Sequence, residues 1–214
     1  MGFAARTGLL CAIVLGTVGA NHGDNALTAL LGRMSAAAGP IWQAHIVSVS
    51  RVSLSGHQSV ASSDSEGLRI VVRRCTGELC NGSYFDGAHL YSIDMNGTAL
   101  APSLEPQPFL RSLRVAASLE FLSPSFRTHG GRIGDAGTGT LDGKLYRTIA
   151  VGEVNAVPLR LFVDPQTALI RAARELGGTE TFEYRDYRRV GPFTLPFLVL
   201  HDGRIFERYD DRAA

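Results

Sequence analysis

The sequence predicts an α+β domain in which a curved antiparallel β-sheet carries helices on its concave face. Strand-like segments follow one another with short turns between them, and 24 glycines and 9 prolines supply the turn residues. This order is typical of an antiparallel sheet and not of alternating strands and helices. Two segments show helical spacing, which is too few to cover both faces of so many strands.

Length and composition fit a single globular domain. The chain has 214 residues, of which 45% are hydrophobic and 19% are charged, and this mixture is too apolar for intrinsic disorder. Its 21 basic and 20 acidic residues leave a net charge of +1. Nucleic-acid binding usually requires a strongly basic domain or stripe, so we expect no nucleic-acid partner.

Residues 1–20 have the pattern of a secretory signal peptide. Arg6 precedes an apolar run over residues 9–18, and the small residues that end at Ala20 fit a cleavage site. The run is shorter than the roughly 20 residues of a membrane-spanning helix, although an uncleaved anchor is the alternative. We expect a secreted or otherwise exported protein in which residues 21–214 form one domain without a transmembrane anchor.

Two segments are predicted to be helices and one is predicted to be a loop. Asp24 or Asn25 caps a helix over residues 26–38, where apolar side chains recur at helical spacing until Gly39. A second apolar stripe predicts a helix over about residues 108–122. Residues 128–140 are rich in glycine and contain few core side chains, which predicts a flexible connection.

The remaining segments read as strands with turns between them. Residues 41–54 alternate with a two-residue period that places Trp42, Ala44 and Ile46 on one face. Residues 83–94 form a predicted hairpin around Asp86 and Gly87, a dipeptide typical of tight turns. Further strands are expected at residues 58–64, 68–74, 145–151, 159–163, 168–175, 180–188, 193–201 and 204–209.

Cys75 and Cys80 are the two cysteines that remain after the expected cleavage. An exported protein meets an oxidising compartment, which favours a disulfide between them. Their spacing is longer than the Cys-x-x-Cys of redox motifs, and a zinc site would need two more ligands nearby. We therefore predict a structural disulfide and no metal site.

The motif search gives no catalytic residue. The glycine-rich segment lacks the spacings of phosphate and dinucleotide loops, and no G-x-S-x-G elbow is present. The histidines lack the spacing of metal ligands. We expect no enzyme activity and no cofactor; a hydrolase that uses His45 or His89 in an unrecognised site is a weaker alternative.

Aromatic and aliphatic residues at the helix–sheet interface permit two interpretations. They either fill an ordinary core or surround an apolar cavity, as in sites for acyl chains. The candidate lining residues are Trp42, Phe109, Leu113 and Phe197. A cavity predicts a non-catalytic carrier of a lipophilic ligand or lipidated protein, whereas a filled core predicts an interaction or chaperone-like module for an exported protein partner.

Several segments together resemble a known family. They are AAGPIW at 37–42, YFDGAHLY at 84–91, GKLY at 143–146, LFVDPQTALI at 161–170, FEYRDY at 182–187 and LPF at 195–197. The chain is similar to the outer-membrane lipoprotein carrier superfamily, nearest to exported bacterial domains that often precede retroviral-type aspartyl proteases. The resemblance implies an unclosed β-barrel around a helical plug, a periplasmic setting and an apolar concavity for acyl chains. The resemblance assigns no catalytic residue to this chain.

Overall fold

A computed structural model describes residues 20–54, 57–76, 78–94, 96, 98–102 and 107–214. Thirteen strands in these residues form one antiparallel sheet. They are β1 (His45–Leu54), β2 (His57–Glu66), β3 (Arg69–Thr76), β4 (Leu79–Phe85), β5 (Leu90–Ile93), β6 (Ala99–Pro102), β7 (Arg132–Leu141), β8 (Lys144–Gly152), β9 (Leu159–Val163), β10 (Ile170–Glu175), β11 (Thr181–Val190), β12 (Phe193–His201) and β13 (Arg204–Ala213). The predicted signal peptide lies almost wholly outside the described residues.

The sheet consists of two meanders that meet in its middle. Strands β1 to β6 are neighbours in chain order, as are β7 to β13, and β1 pairs with β13 to join the two sets. Strands β6 and β7 lie at opposite ends of the order, so the sheet does not close into a barrel. This confirms the predicted class, a curved antiparallel sheet with a few helices.

The helices are α1 (Ala20–Ala38), α2 (Pro108–Ala117) and α3 (Pro124–Thr128), with 3₁₀ turns at Ile41–Gln43 and Glu120–Leu122. Helix α1 contacts β12 and β7, and it buries Leu30 and Met34 against the sheet. None of the helices in the described ranges is long and apolar enough to cross a membrane.

Gly39 ends α1 in the left-handed conformation that favours glycine. Its φ is +82°, and its N–H donates to the carbonyl of Ser35 at 2.9 Å. A Cβ atom at this position would lie 2.8 Å from the carbonyl oxygen of Pro192. The close approach fixes the end of α1 against the turn between β11 and β12.

Four predicted segments differ from the structure. The helix expected over residues 26–38 already includes Ala20, so neither Asp24 nor Asn25 caps it. The helix expected to reach residue 122 ends at Ala117, because Leu119 adopts a left-handed φ of +53° and Pro124 can only begin a new helix. The strand expected from residue 41 begins at His45, after the first 3₁₀ turn. The loop predicted over residues 128–140 is wrong for residues 132–140, which belong to the long edge strand β7.

Backbone pairing explains β7 better than side-chain pattern does. The strand pairs with β8 through an irregularity between Asp135 and Thr138. At Gly139, a Cβ atom would lie 2.9 Å from both the Phe162 ring and the Thr148 side chain. An edge strand of this kind needs small residues where a neighbour packs close, so glycine here indicates close packing and not a loop.

The predicted disulfide and hairpin are both present. Cys75 on β3 and Cys80 on β4 face each other in the strand register and are bonded. In the β4–β5 turn, the Asp86 carboxylate accepts the N–H groups of residues 88 and 89, each at 2.7 Å, and the Tyr91 hydroxyl at 3.0 Å. Burial alone would raise the pKa of Asp86, but these hydrogen bonds lower it overall.

Candidate functional site

An apolar cavity of about 350 Å³ lies between α2 and the sheet. The helix contributes positions that are three and four residues apart, which form one helical face. These are Leu110, Leu113, Arg114 and Ala117. The sheet contributes side chains from both meanders, among them Ile46, Ile70, Phe85, Phe182, Leu195, Val199 and Phe206. The volume falls within the range of small-ligand sites, which is about 300–1,000 Å³.

Polar contacts from the middle of α2 tie this helix to the surrounding turns. Arg111 donates to both carboxylate oxygens of Glu153, at 2.9 and 2.6 Å, and to the carbonyl of Gly87 at 2.7 Å. The Ser112 hydroxyl donates to the carbonyl of Val157 at 2.6 Å. The helix is thus tied to the β4–β5 turn and to the connection after β8, and its apolar face need not collapse onto the sheet.

A polar cluster interrupts the apolar wall of the cavity. It consists of Arg114, Tyr184, Glu207, Tyr209 and Arg212, all of which line the cavity. The Tyr209 hydroxyl donates to the Glu207 carboxylate. Arg212 donates from Nε to the Ser48 hydroxyl at 3.0 Å and from Nη1 to the carbonyl of Pro196 at 2.6 Å, and its guanidinium lies 4.2 Å from the centre of the Tyr209 ring.

The Arg114 guanidinium donates fewer hydrogen bonds to the described residues than that of Arg212 does. Its Nη2 donates to the carbonyl of Gly67 at 2.7 Å, which links α2 to the β2–β3 turn. Its Nε is buried and has no hydrogen-bond partner within the part of the chain that the structure describes. A buried donor without a partner costs stability, and such groups are rare in folded proteins.

Burial shifts the acid–base behaviour of this cluster. It lowers the pKa of Arg114 and of Arg212, and nearby Tyr209 and Glu207 partly offset this. It raises the pKa of Tyr184 and of Tyr209, so both hydroxyls stay protonated at neutral pH. The cluster therefore presents two guanidiniums, one carboxylate and two neutral phenols.

The four predicted lining residues lie in different places. Leu113 lines the cavity. Trp42 borders a separate open groove beside Arg111. Phe109 packs against Phe182 with ring centres 5.8 Å apart, and Phe197 is buried in the core. Ligand contact at any of the four stays a prediction.

Sequence reasoning missed the polar cluster for identifiable reasons. Glu207 and Tyr209 are two residues apart, but the β1–β13 register shifts before residue 211, which brings Arg212 to the same side. A strict two-residue period would assign Arg212 to the opposite face. The available signal was Arg114, a charge placed inside the apolar stripe of α2.

The histidines considered for catalysis lie apart from the cavity wall. His45 is exposed at the start of β1, and His89 lies in the β4–β5 turn with its Nδ1 3.8 Å from the Asp86 carboxylate. Within the part of the chain that the structure describes, no three side chains of His, Cys, Asp or Glu are grouped so as to hold a metal ion.

No protein-family model matches the sequence, and curated proteins give no match. Among solved structures, the fold is similar to the crystal structure of a DUF1329 family protein from Desulfovibrio piger, determined at 1.75 Å. The TM-score is 0.53 at 10% sequence identity, and the match covers 88% of this chain and 92% of the other. A match at this identity shows the fold alone.

Proposed function

We propose that this chain is an exported, non-catalytic carrier module that binds a lipophilic ligand, either a free lipid or the acyl chain of a lipidated protein. The observation that carries the proposal is the apolar cavity of about 350 Å³ between α2 and the sheet. A filled core would leave no such space, so the cavity favours a carrier over a module that only binds a protein partner.

The size and the wall of the cavity suit an acyl chain. Its volume corresponds to about a dozen liquid water molecules at roughly 30 Å³ each, which is comparable to a chain of medium length. Transfer of such a chain from water contributes about 0.8 kcal/mol for each buried methylene. The charged groups of the wall are confined to one cluster, and most of the remaining wall is apolar and can contact hydrocarbon.

The fold and the disulfide support an exported carrier. The resemblance to outer-membrane lipoprotein carriers implies an acyl-binding concavity in a sheet of this kind. The Cys75–Cys80 disulfide is of the type that persists in oxidising compartments such as the periplasm. The signal peptide predicted over residues 1–20 agrees with export.

Uptake of a fluorescent acyl-chain probe tests the proposal. Leu113→Trp places a larger side chain into the cavity, and Leu113→Asp places a charge on its wall. We expect each substitution to weaken probe uptake at least about tenfold. In Leu113→Trp the acyl chain has less space, and in Leu113→Asp it must contact a desolvated carboxylate. Leu145→Asp is the matched control, since Leu145 is 65% exposed on β8 and does not line the cavity.

Circular dichroism and thermal melting show whether each variant is folded. A folded Leu113→Trp protein that takes up the probe as well as the wild type would exclude the cavity as the binding site. If the wild-type protein takes up no acyl probe, the carrier function is contradicted and an interaction module for a protein partner is favoured. Crosslinking to an exported partner would then test that alternative.

A further inference from the structure

The charges inside the cavity do not balance. Arg114 and Arg212 bring two positive charges to the wall, and Glu207 is the only carboxylate among the described residues that line it. The hydrogen-bond partners of both guanidiniums are neutral: a carbonyl for Arg114, and a hydroxyl and a carbonyl for Arg212. The wall thus carries one positive charge in excess.

An excess charge in an apolar wall is costly unless a ligand neutralises it. A buried ion is normally paired, because its desolvation in a low-dielectric interior is not otherwise repaid. An apolar residue at position 114 would suit a carrier of an uncharged hydrocarbon ligand better than an arginine does. The arginine therefore points to a ligand that has both a hydrocarbon chain and a negative charge.

Arg114 is the better candidate of the two arginines. Arg212 uses Nε and Nη1 in hydrogen bonds and stacks on Tyr209. Among the described residues, Arg114 donates one hydrogen bond, from Nη2, and its buried Nε has no partner. A guanidinium binds an anionic group by two parallel N–H donors, and Arg114 retains donors for such a contact.

The position of Arg114 also fits the end of an acyl chain. On α2 it stands next to Leu113 and one turn after Leu110, and both leucines line the cavity. Its guanidinium reaches the β2–β3 turn, where Gly67 belongs both to the cavity wall and to the wall of the open groove beside Trp42. A headgroup at Arg114 would lie at this boundary while the chain occupies the apolar space.

We propose that the cavity selects a single-chain amphiphile with a small anionic headgroup and that Arg114 binds this headgroup. The inference rests on the proposed carrier function and names its ligand class. A volume of about 350 Å³ accommodates one chain with a compact headgroup better than a two-chain lipid. The shared chemistry is an anion on a hydrocarbon chain, which a carboxylate and a phosphate both provide.

Calorimetric titration with three probes of equal chain length separates charge from hydrocarbon. The probes are dodecanoate, dodecyl phosphate and dodecanol, each below its aggregation concentration. The variants are Arg114→Met, which keeps length without charge, Arg114→Lys, which keeps charge without the planar fork, and Arg127→Met. Arg127 is exposed on α3 and does not line the cavity, so it serves as the control.

We expect Arg114→Met to reduce the affinity for dodecanoate relative to dodecanol by about tenfold to a hundredfold, the range of hydrogen bonds to charged groups. Arg114→Lys restores part of this ratio, and Arg127→Met leaves it unchanged. A fall in the affinity relative to dodecanol for either anionic probe supports the anion site, and the probe with the larger fall identifies the headgroup.

The inference would be overturned if Arg114→Met left the affinity relative to dodecanol unchanged for both dodecanoate and dodecyl phosphate. If dodecanol still binds in that case, the carrier function stands and only the headgroup assignment fails. If the wild-type protein binds none of the three probes, the carrier function fails together with the inference.

Discussion

Removal of the Arg111 side chain tests whether polar contacts hold α2 above the cavity. Arg111→Met deletes two charge-assisted hydrogen bonds to Glu153, at 2.9 and 2.6 Å, and one to the carbonyl of Gly87 at 2.7 Å. The Glu153 side chain is only 9% exposed, so the substitution leaves a largely desolvated carboxylate without its partner. The stranded carboxylate is what makes this change costly.

The size of the effect follows from these contacts. Each hydrogen bond to a charged group contributes about 1.5–3 kcal/mol, and the Arg111 side chain is 24% exposed, which reduces this. We expect Arg111→Met to lower the free energy of unfolding by about 3 kcal/mol. The double variant Arg111→Met/Glu153→Leu should lose only about 1 kcal/mol, because no charge is left unpaired.

Urea denaturation of the two single variants and the double variant measures this coupling. Arg147→Met is the matched control, since Arg147 pairs with Asp135 at 2.6 Å on the exposed side of β7 and β8, where an ion pair contributes about 0–1 kcal/mol. If Arg111→Met costs no more than Arg147→Met, the anchoring of α2 by Arg111 is refuted.

Three other predictions concern the scaffold. Gly39→Ala should lower stability by about 2 kcal/mol, because the left-handed backbone and the approach of the Pro192 carbonyl exclude a Cβ; thermal melting measures this. Replacing Cys75 and Cys80 by serine should cost about 2 kcal/mol from the entropy of a short loop, and a reductant should then no longer change the melting temperature. Because the pKa of Asp86 is lowered in the folded protein, its carboxylate stabilises the fold at pH values above the unfolded pKa near 3.8. This stabilisation is lost as the pH falls through the folded pKa. Asp86→Asn should therefore show a smaller loss of stability between pH 5 and pH 2, to be read from denaturation at each pH.

Local chemistry predicted much of the fold. The hairpin around Asp86, the disulfide and the α1 end at Gly39 each depend on residues close in sequence. Local sequence patterns were therefore enough to predict them. The class of the sheet followed from the order of its elements. The pairing of β1 with β13 depends on contacts between the two ends of the chain, which no local pattern encodes.

Pairing at the sheet edge and an irregular strand register explain why β7 and the cavity could not be predicted from the sequence. Strand β7 has few core side chains and is held by backbone pairing with β8, so its glycines resemble those of a loop. The cavity depends on how far α2 stands from the sheet, and the contact that ties α2 at Arg111 is made to Glu153, 42 residues further along the chain. Leu113 could be placed from the helical stripe, whereas Arg212 required the shifted register of β13.

Native mass spectrometry of the protein, exported in a bacterium and purified without detergent, tests the carrier function most directly. The spectrum is recorded before and after extraction with organic solvent, and again after dodecanoate is added. We expect a bound species in the lipid mass range that extraction removes and that added dodecanoate replaces. A mass without ligand before extraction, together with no uptake of added dodecanoate, would contradict the carrier function.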